Sequence, residues 1–100
     1  MQIDASRLRE SMEEMARIGA TPGRGVHRLT LSDSDREARD LFAVRSGEAG
    51  LAVSVDEMGN MFARREGTDS AAAPVLAGSH LDTVPNGGRF DGSLGVIAAL

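Results

Sequence analysis

The residues able to do chemistry gather in one stretch, Gly78-Ser79-His80-Leu81-Asp82-Thr83-Val84 followed by Gly87-Gly88-Arg89-Phe90-Asp91-Gly92. The run before it, Pro74-Val75-Leu76-Ala77-Gly78, is short and apolar and predicts a buried strand. His80 would then lie at the strand's end, where ligands gather in open α/β sheets. Residues two apart on an extended chain point to the same side, so Asp82 shares a face with His80. A carboxylate there accepts the second imidazole N–H, fixing the tautomer and raising the ring's basicity toward a metal. Asp91 follows a Gly-Gly turn that allows the chain to fold back, bringing its carboxylate beside the strand end. With two oxygens, that carboxylate can bridge two cations. The set is one imidazole ligand, one orienting carboxylate and one shared carboxylate.

Each part taken alone has a plainer explanation. A His-x-Asp pair is most often incidental surface polarity, and Asp91-Gly92 is by itself a turn signal. Gly92 and Gly95 have a spacing found in phosphate loops, but the Lys-Ser/Thr of a P-loop and a full Gly-x-Gly-x-x-Gly fingerprint are both missing. His27 stands in a polar, irregular stretch and is expected in solvent, while Met58 and Met61 are expected to pack. The combination carries the metal reading: apolar strand, His-x-Asp, glycine turn, Asp and helix start follow one another directly.

The elements that must position these residues are readable from periodicity. Leu8, Met12, Met15 and Ile18 form one face of a helix over Asp4–Ile18, capped by Asp4 or Ser6 and ended by Gly19. Residues 20–31 contain Pro22, Gly23 and Gly25 and read as a loop. A second helix is expected from Ser34, where Ser34 and Glu37 have capping-box spacing, to a stop at Gly50. Leu51–Val55 and Met61–Arg65 predict a β-hairpin around Asp56-Glu57-Met58-Gly59-Asn60. Ser93–Leu100 predicts a buried helix. The order is helix, helix, strand, strand, strand, helix: an α/β pattern with helices on a mixed sheet. The exposed apolar end at Val96-Ile97-Ala98-Ala99-Leu100 reads as a chain stopping mid-element.

Composition narrows the partners. The 100 residues carry 11 basic and 15 acidic side chains, for a net charge of -4, and every basic one is arginine. A mildly acidic chain with scattered arginines argues against nucleic acid as partner. The absence of cysteine excludes disulfides and thiolate metal sites. Charge appears from Asp4 onward with no apolar leader, so neither signal peptide nor membrane span is predicted and a cytoplasmic location is expected.

The stretch from Gly78 to Gly92 resembles the metal-site signature of the hydantoinase/carbamoylase amidase family, within the aminoacylase and carboxypeptidase group of dinuclear metallohydrolases. The likeness continues upstream through Leu31-Ser32-Asp33, Arg36-Glu37-Ala38-Arg39, Glu48-Ala49-Gly50-Leu51, Val55-Asp56 and Gly59-Asn60. It implies that His80 is a first-metal ligand, Asp91 the bridging carboxylate and Asp82 the catalytic residue orienting the histidine. It implies two divalent ions, Zn²⁺, Mn²⁺, Co²⁺ or Ni²⁺, and hydrolysis of N-carbamoyl amino acids or related ureido acids such as allantoate. It implies too that residues 1–100 are the N-terminal segment of a catalytic domain, with the rest of that domain and a dimerisation domain further on. The full-length protein would be a homodimer. In the wider group the bond after the bridging carboxylate is often cis, so a cis Asp91–Gly92 bond is expected. Arg24 stands where a glycine is commoner, and the Arg45-Ser46-Gly47 run lies within the second helix; both departures touch packing more than chemistry.

The family's paired glutamates, further histidine ligands and substrate-binding arginine have no counterpart in these residues. An aminoacylase- or aminopeptidase-like hydrolase is the alternative within the enzyme class; a non-catalytic metal-binding remnant is the alternative outside it. A reading frame continuing past codon 100 into paired glutamates separates enzyme from remnant. Lacking a general base, the 100-residue chain alone is expected to show negligible ureido-acid hydrolysis. Ammonia release is the measure, and turnover that needs no metal would contradict the reading.

Overall fold

A computed structural model describes residues 2–100. The elements are α1 (Ala5–Arg17), α2 (Asp33–Glu48), β1 (Ala52–Val55), β2 (Met61–Arg64) and α3 (Ser93–Ala99). Asp4 caps α1 by accepting the Arg7 N–H at 3.0 Å, and Gly19 follows its end at φ +78°. The expected apolar face is the core: Met12, Met15 and Ile18 of α1 meet Ala38 of α2 and Ile97 of α3, with Leu8, Leu41 and Leu81 packed around them. Helices α1 and α3 thus share one apolar seam, and α3 is the element that follows Asp91.

The cap of α2 lies two residues ahead of the expected one. Ser32, not Ser34, caps it: its hydroxyl accepts the Asp35 N–H, while Asp35 Oδ2 accepts the Leu31 N–H at 3.0 Å. This reciprocal arrangement satisfies two backbone donors at once, whereas the Ser34 hydroxyl donates to the His27 carbonyl instead. In the run that departs from the family, Ser46 is wholly buried and its hydroxyl has no hydrogen-bond partner. The hairpin forms as expected, antiparallel with Val53 opposite Ala63. Its turn is held by Asp56, whose Oδ1 accepts the N–H groups of Met58 and Asn60.

Two expectations fail in instructive ways. Among the described residues the sheet has two antiparallel strands and is not mixed. The run Pro74–Gly78 is no strand: Val75 is 96% and Leu76 79% exposed, because no neighbouring backbone lies alongside to complete a ladder. Residues 20–31 are more ordered than a loop. Val26 is buried and exchanges two hydrogen bonds with Gly87, at 2.9 and 2.8 Å. Two residues on, Arg28 and Thr83 continue the pairing, the Thr83 N–H donating to the Arg28 carbonyl at 2.7 Å.

The side chain of Arg28 is buried at 1% exposure and is the centre of the fold. Its Nη1 donates to the Met15 and Ile18 carbonyls at the end of α1, at 3.0 and 2.6 Å. Nε donates to the Leu81 carbonyl at 2.8 Å, and Nη2 to the Ser93 hydroxyl at 3.1 Å. Burial pushes the guanidinium pKa down, while the carboxylates of Asp35 and Asp82 act in the opposite sense. Arginine stays charged under both influences, so the cation must be satisfied by these acceptors.

Arg24, the departure from the family's commoner glycine, sits at φ +63°. That left-handed conformation is strained for a side chain bearing a Cβ and open to glycine. Arg24→Gly is therefore expected to stabilise the chain by about 0.5–1 kcal/mol, a rise of a few degrees in Tm by differential scanning calorimetry. An unchanged or lower Tm would show that the turn holds no strain.

Candidate metal centre

His80 lies on the extended segment between Gly78 and Thr83, at a rim where its side chain is half exposed. Nδ1 is 2.9 Å from the Asp82 carbonyl oxygen and 3.3 Å from Asp82 Oδ1. Both neighbours are acceptors, so Nδ1 carries the proton of the neutral ring. The lone pair is left on Nε2, which faces Asp91 Oδ1 at 3.6 Å. The two-residue spacing thus does what the extended chain requires: Asp82 stands behind the imidazole and Asp91 in front.

Asp82 is itself held. Its Oδ2 accepts the Thr30 hydroxyl at 2.6 Å, and that hydrogen bond is the largest cause of a carboxyl pKa below the usual range. Desolvation works against it, and the charge on a protonated His80 adds to it. The resulting chain of contacts runs Thr30, Asp82, His80, Asp91.

Asp91 reaches its place by a turn different from the expected one. Gly87 is occupied by its pairing with Val26; the reversal is made earlier, by Val84-Pro85-Asn86-Gly87, closed by the Gly87 N–H to the Val84 carbonyl at 3.1 Å. Proline at the second position and Asn86 at φ +52° in the third suit such a turn. The cis Asp91–Gly92 bond is absent: no peptide among the described residues is cis. The chain is redirected by φ instead. Gly92 has φ +72° and ψ -56°, and the Ser93 N–H donates to the Asp91 carbonyl at 2.8 Å. This is the rare, strained γ-turn with a positive φ. A Cβ at residue 92 would stand 2.5 Å from both His80 Cε1 and the His80 carbonyl oxygen, so only glycine lets the helix start press against the imidazole.

The donor set suits a divalent cation. Two ligands each about 2.1 Å from one tetrahedral ion lie about 3.4 Å apart, close to the His80–Asp91 separation. A neutral imidazole and a carboxylate are also the donors such ions take. Among the described residues, no group of three or more His, Cys, Asp or Glu is assembled to hold an ion alone. His27 is in solvent, as expected; Met58, expected to pack, is 87% exposed at the hairpin tip. Arg28 and Thr30 were not foreseen, because nothing in residues 20–31 marks a segment that will pair with 81–87.

No family model matches the chain. Individual relatives do. An N-carbamoyl-L-amino-acid amidohydrolase of Rhizobium meliloti is 52% identical over 99 residues, 99% of this chain and 24% of the relative. The allantoate amidohydrolase of Escherichia coli (strain K12) is 39% identical over 92 residues, 92% of this chain and 22% of the relative. A crystal structure of a hydantoinase/carbamoylase family amidase from Burkholderia ambifaria superposes with a TM-score of 0.95 at 63% identity, covering 97% of this chain and 24% of that one. The relatives are amidohydrolases, and the fold here is the α/β arrangement of that class. Within it, the chain belongs to the hydantoinase/carbamoylase family of amidases. It spans about a quarter of the length of the relatives it matches.

The Thr30–Asp82 contact has a measurable consequence. A depressed carboxyl pKa contributes stability above the group's unfolded value, and that stability is lost as pH falls through the folded value. Thr30→Val removes the largest cause of the depression, so the Asp82 pKa is expected to rise toward the ordinary carboxylate value and acid destabilisation to begin at a higher pH. Titrating the Asp82 carboxyl carbon by NMR tests this; an unmoved midpoint would show that the hydroxyl does not govern the carboxylate.

Proposed function

We propose that this chain supplies the first ligands of a dinuclear metal centre in an amidohydrolase that cleaves carbon–nitrogen bonds of N-carbamoyl amino acids or related ureido acids. The observation carrying the proposal is the orientation of His80: Nδ1 turned to Asp82, Nε2 turned to Asp91. Sequence likeness to an N-carbamoyl-L-amino-acid amidohydrolase and an allantoate amidohydrolase supports the substrate class. His80 and Asp91 would hold the metal, with Zn²⁺, Mn²⁺, Co²⁺ or Ni²⁺ as the ion and Asp91 shared between two of them. When bound, such cations polarise a carbonyl and make water a nucleophile near neutral pH.

The chain's own residues have distinct parts in this scheme. Asp82 keeps the proton on Nδ1, so that Nε2 stays a ligand, and stabilises positive charge drawn onto the ring. The Thr30 hydroxyl lowers the pKa of the Asp82 carboxyl. Gly92 leaves room for the start of α3 to lie against the imidazole. The general base and the remaining ligands would come from residues outside this chain. The complete polypeptide is proposed to act on a small ureido acid as a cytoplasmic homodimer; no helix of the described residues is long and apolar enough to cross a membrane.

In the complete polypeptide, His80→Ala and Asp91→Ala are expected to abolish metal-dependent hydrolysis and lower metal content. Asp82→Asn is expected to keep metal but lose roughly 10–100-fold in metal affinity or rate. Metal analysis of the purified variants, alongside ammonia release from an N-carbamoyl amino acid, measures both. Wild-type occupancy and rate in Asp82→Asn would show that Asp82 does not orient the ring.

A further inference from the structure

Two segments bear the candidate ligands, and no backbone hydrogen bond among the described residues joins the 79–82 segment to the turn at 91–93. What spans the two is Arg28. Its Nε donates to the carbonyl of Leu81, the residue between His80 and Asp82. Its Nη2 donates to the hydroxyl of Ser93, whose own N–H closes the γ-turn on Asp91. One rigid, planar group thus contacts the Leu81–Asp82 peptide, one residue past His80, and the side chain two residues past Asp91, and its Nη1 anchors both to the end of α1. We infer that Arg28 is a positioning residue for the metal centre: its guanidinium sets the separation of His80 and Asp91.

The planar fork makes the geometry specific. Lysine would keep the charge but offers three donors from one point, without the in-plane spread that reaches Leu81, Ser93 and α1 together. Ser93 is 2% exposed, so its hydroxyl does not exchange this contact for bulk water. A general structural role would predict that any comparable loss of stability disturbs the site equally. A positioning role predicts that the site responds to this bridge in particular.

The inference rests on the proposed metal reading, and the experiment separates the two. Zn²⁺ is titrated into the metal-free complete polypeptide and followed at the His80 ring by ¹H–¹⁵N NMR, with melting curves recorded for every variant. Wild type is expected to bind through Nε2, and Asp91→Asn to weaken binding at least about tenfold, as loss of a ligand does. Arg28→Lys is expected to weaken it roughly 10–100-fold, and Ser93→Ala, which removes only the α3 end of the bridge, several-fold. Ser32→Ala uncaps α2 and touches neither segment; it should lower Tm and leave the affinity unchanged. Wild-type affinity in both Arg28→Lys and Ser93→Ala, or affinities that merely follow Tm across all variants, overturns the inference. A wild-type chain that does not bind Zn²⁺ at His80, or an Asp91→Asn variant that binds equally, overturns the metal reading instead. Arg28 is then judged in the metal-free chain by the cross-relaxation between the His80 ring and the Gly92 α-protons. Its loss in Arg28→Lys supports positioning, and its persistence refutes it.

Discussion

A buried guanidinium has to find acceptors for its donors, and that requirement organises this chain. Left unpaired in the interior, a cation of this kind would cost several kcal/mol, a large share of what a small domain has in hand. Arg28 meets the requirement with three backbone carbonyls and one hydroxyl drawn from three separate parts of the sequence. Two of those carbonyls, at Met15 and the C-cap Ile18, stand at the end of α1, where helical carbonyls run short of partners; that of Met15 also accepts the Ile18 N–H at 3.3 Å. The cation therefore caps a helix from the side and complements the negative end of its dipole. The apolar seam of Met12, Met15, Ile18 and Ile97 then closes around elements whose mutual positions the polar contacts have fixed.

Strain is concentrated beside the candidate ligands. The γ-turn at Gly92 is an uncommon backbone state, and such states persist where surrounding structure determines them. Here the hold comes from both sides: Ser93 is engaged by Arg28, and the His80 ring lies against the glycine. Nearby, Asn86 keeps a left-handed conformation while its Oδ1 accepts the Thr21 hydroxyl at 2.9 Å. The same economy of space appears at Gly95, where a Cβ would stand 2.8 Å from that of Ser79. Helix α3 can approach the His80 segment this closely only because its own face is bare at Gly95.

The electrostatics of the site follow from this scaffold. Thr30 lies two residues beyond Arg28 on the extended segment, so the pairing that buries the guanidinium also delivers a hydroxyl to Asp82. The Asp82 pKa is thereby lowered and, through Nδ1, Asp82 decides which imidazole nitrogen presents a lone pair. The outermost group, Asp91, is the most exposed of the three, as befits a carboxylate offered to a shared ligand.

What the sequence determined by itself is what local chemistry can determine. The spacing of Leu8, Met12, Met15 and Ile18 sets a helical face, Asp56 with Gly59 and Asn60 sets a hairpin turn, and His-x-Asp puts two side chains on one side of an extended chain. The likeness of residues 78–92 to a family signature pointed to Asp91 as well. Tertiary structure decided everything that depends on partners distant in sequence. Arg28 has no local mark, since its meaning lies in carbonyls 10, 13 and 53 residues away. The cap of α2 at Ser32 is by contrast local, since Ser32, Asp35 and the Leu31 N–H lie within four residues of one another. Pro74–Gly78 reads as a buried strand by composition, yet a strand is a property of two backbones, and no second one lies beside it among the described residues. Apolar content is a local quantity; pairing and burial are not.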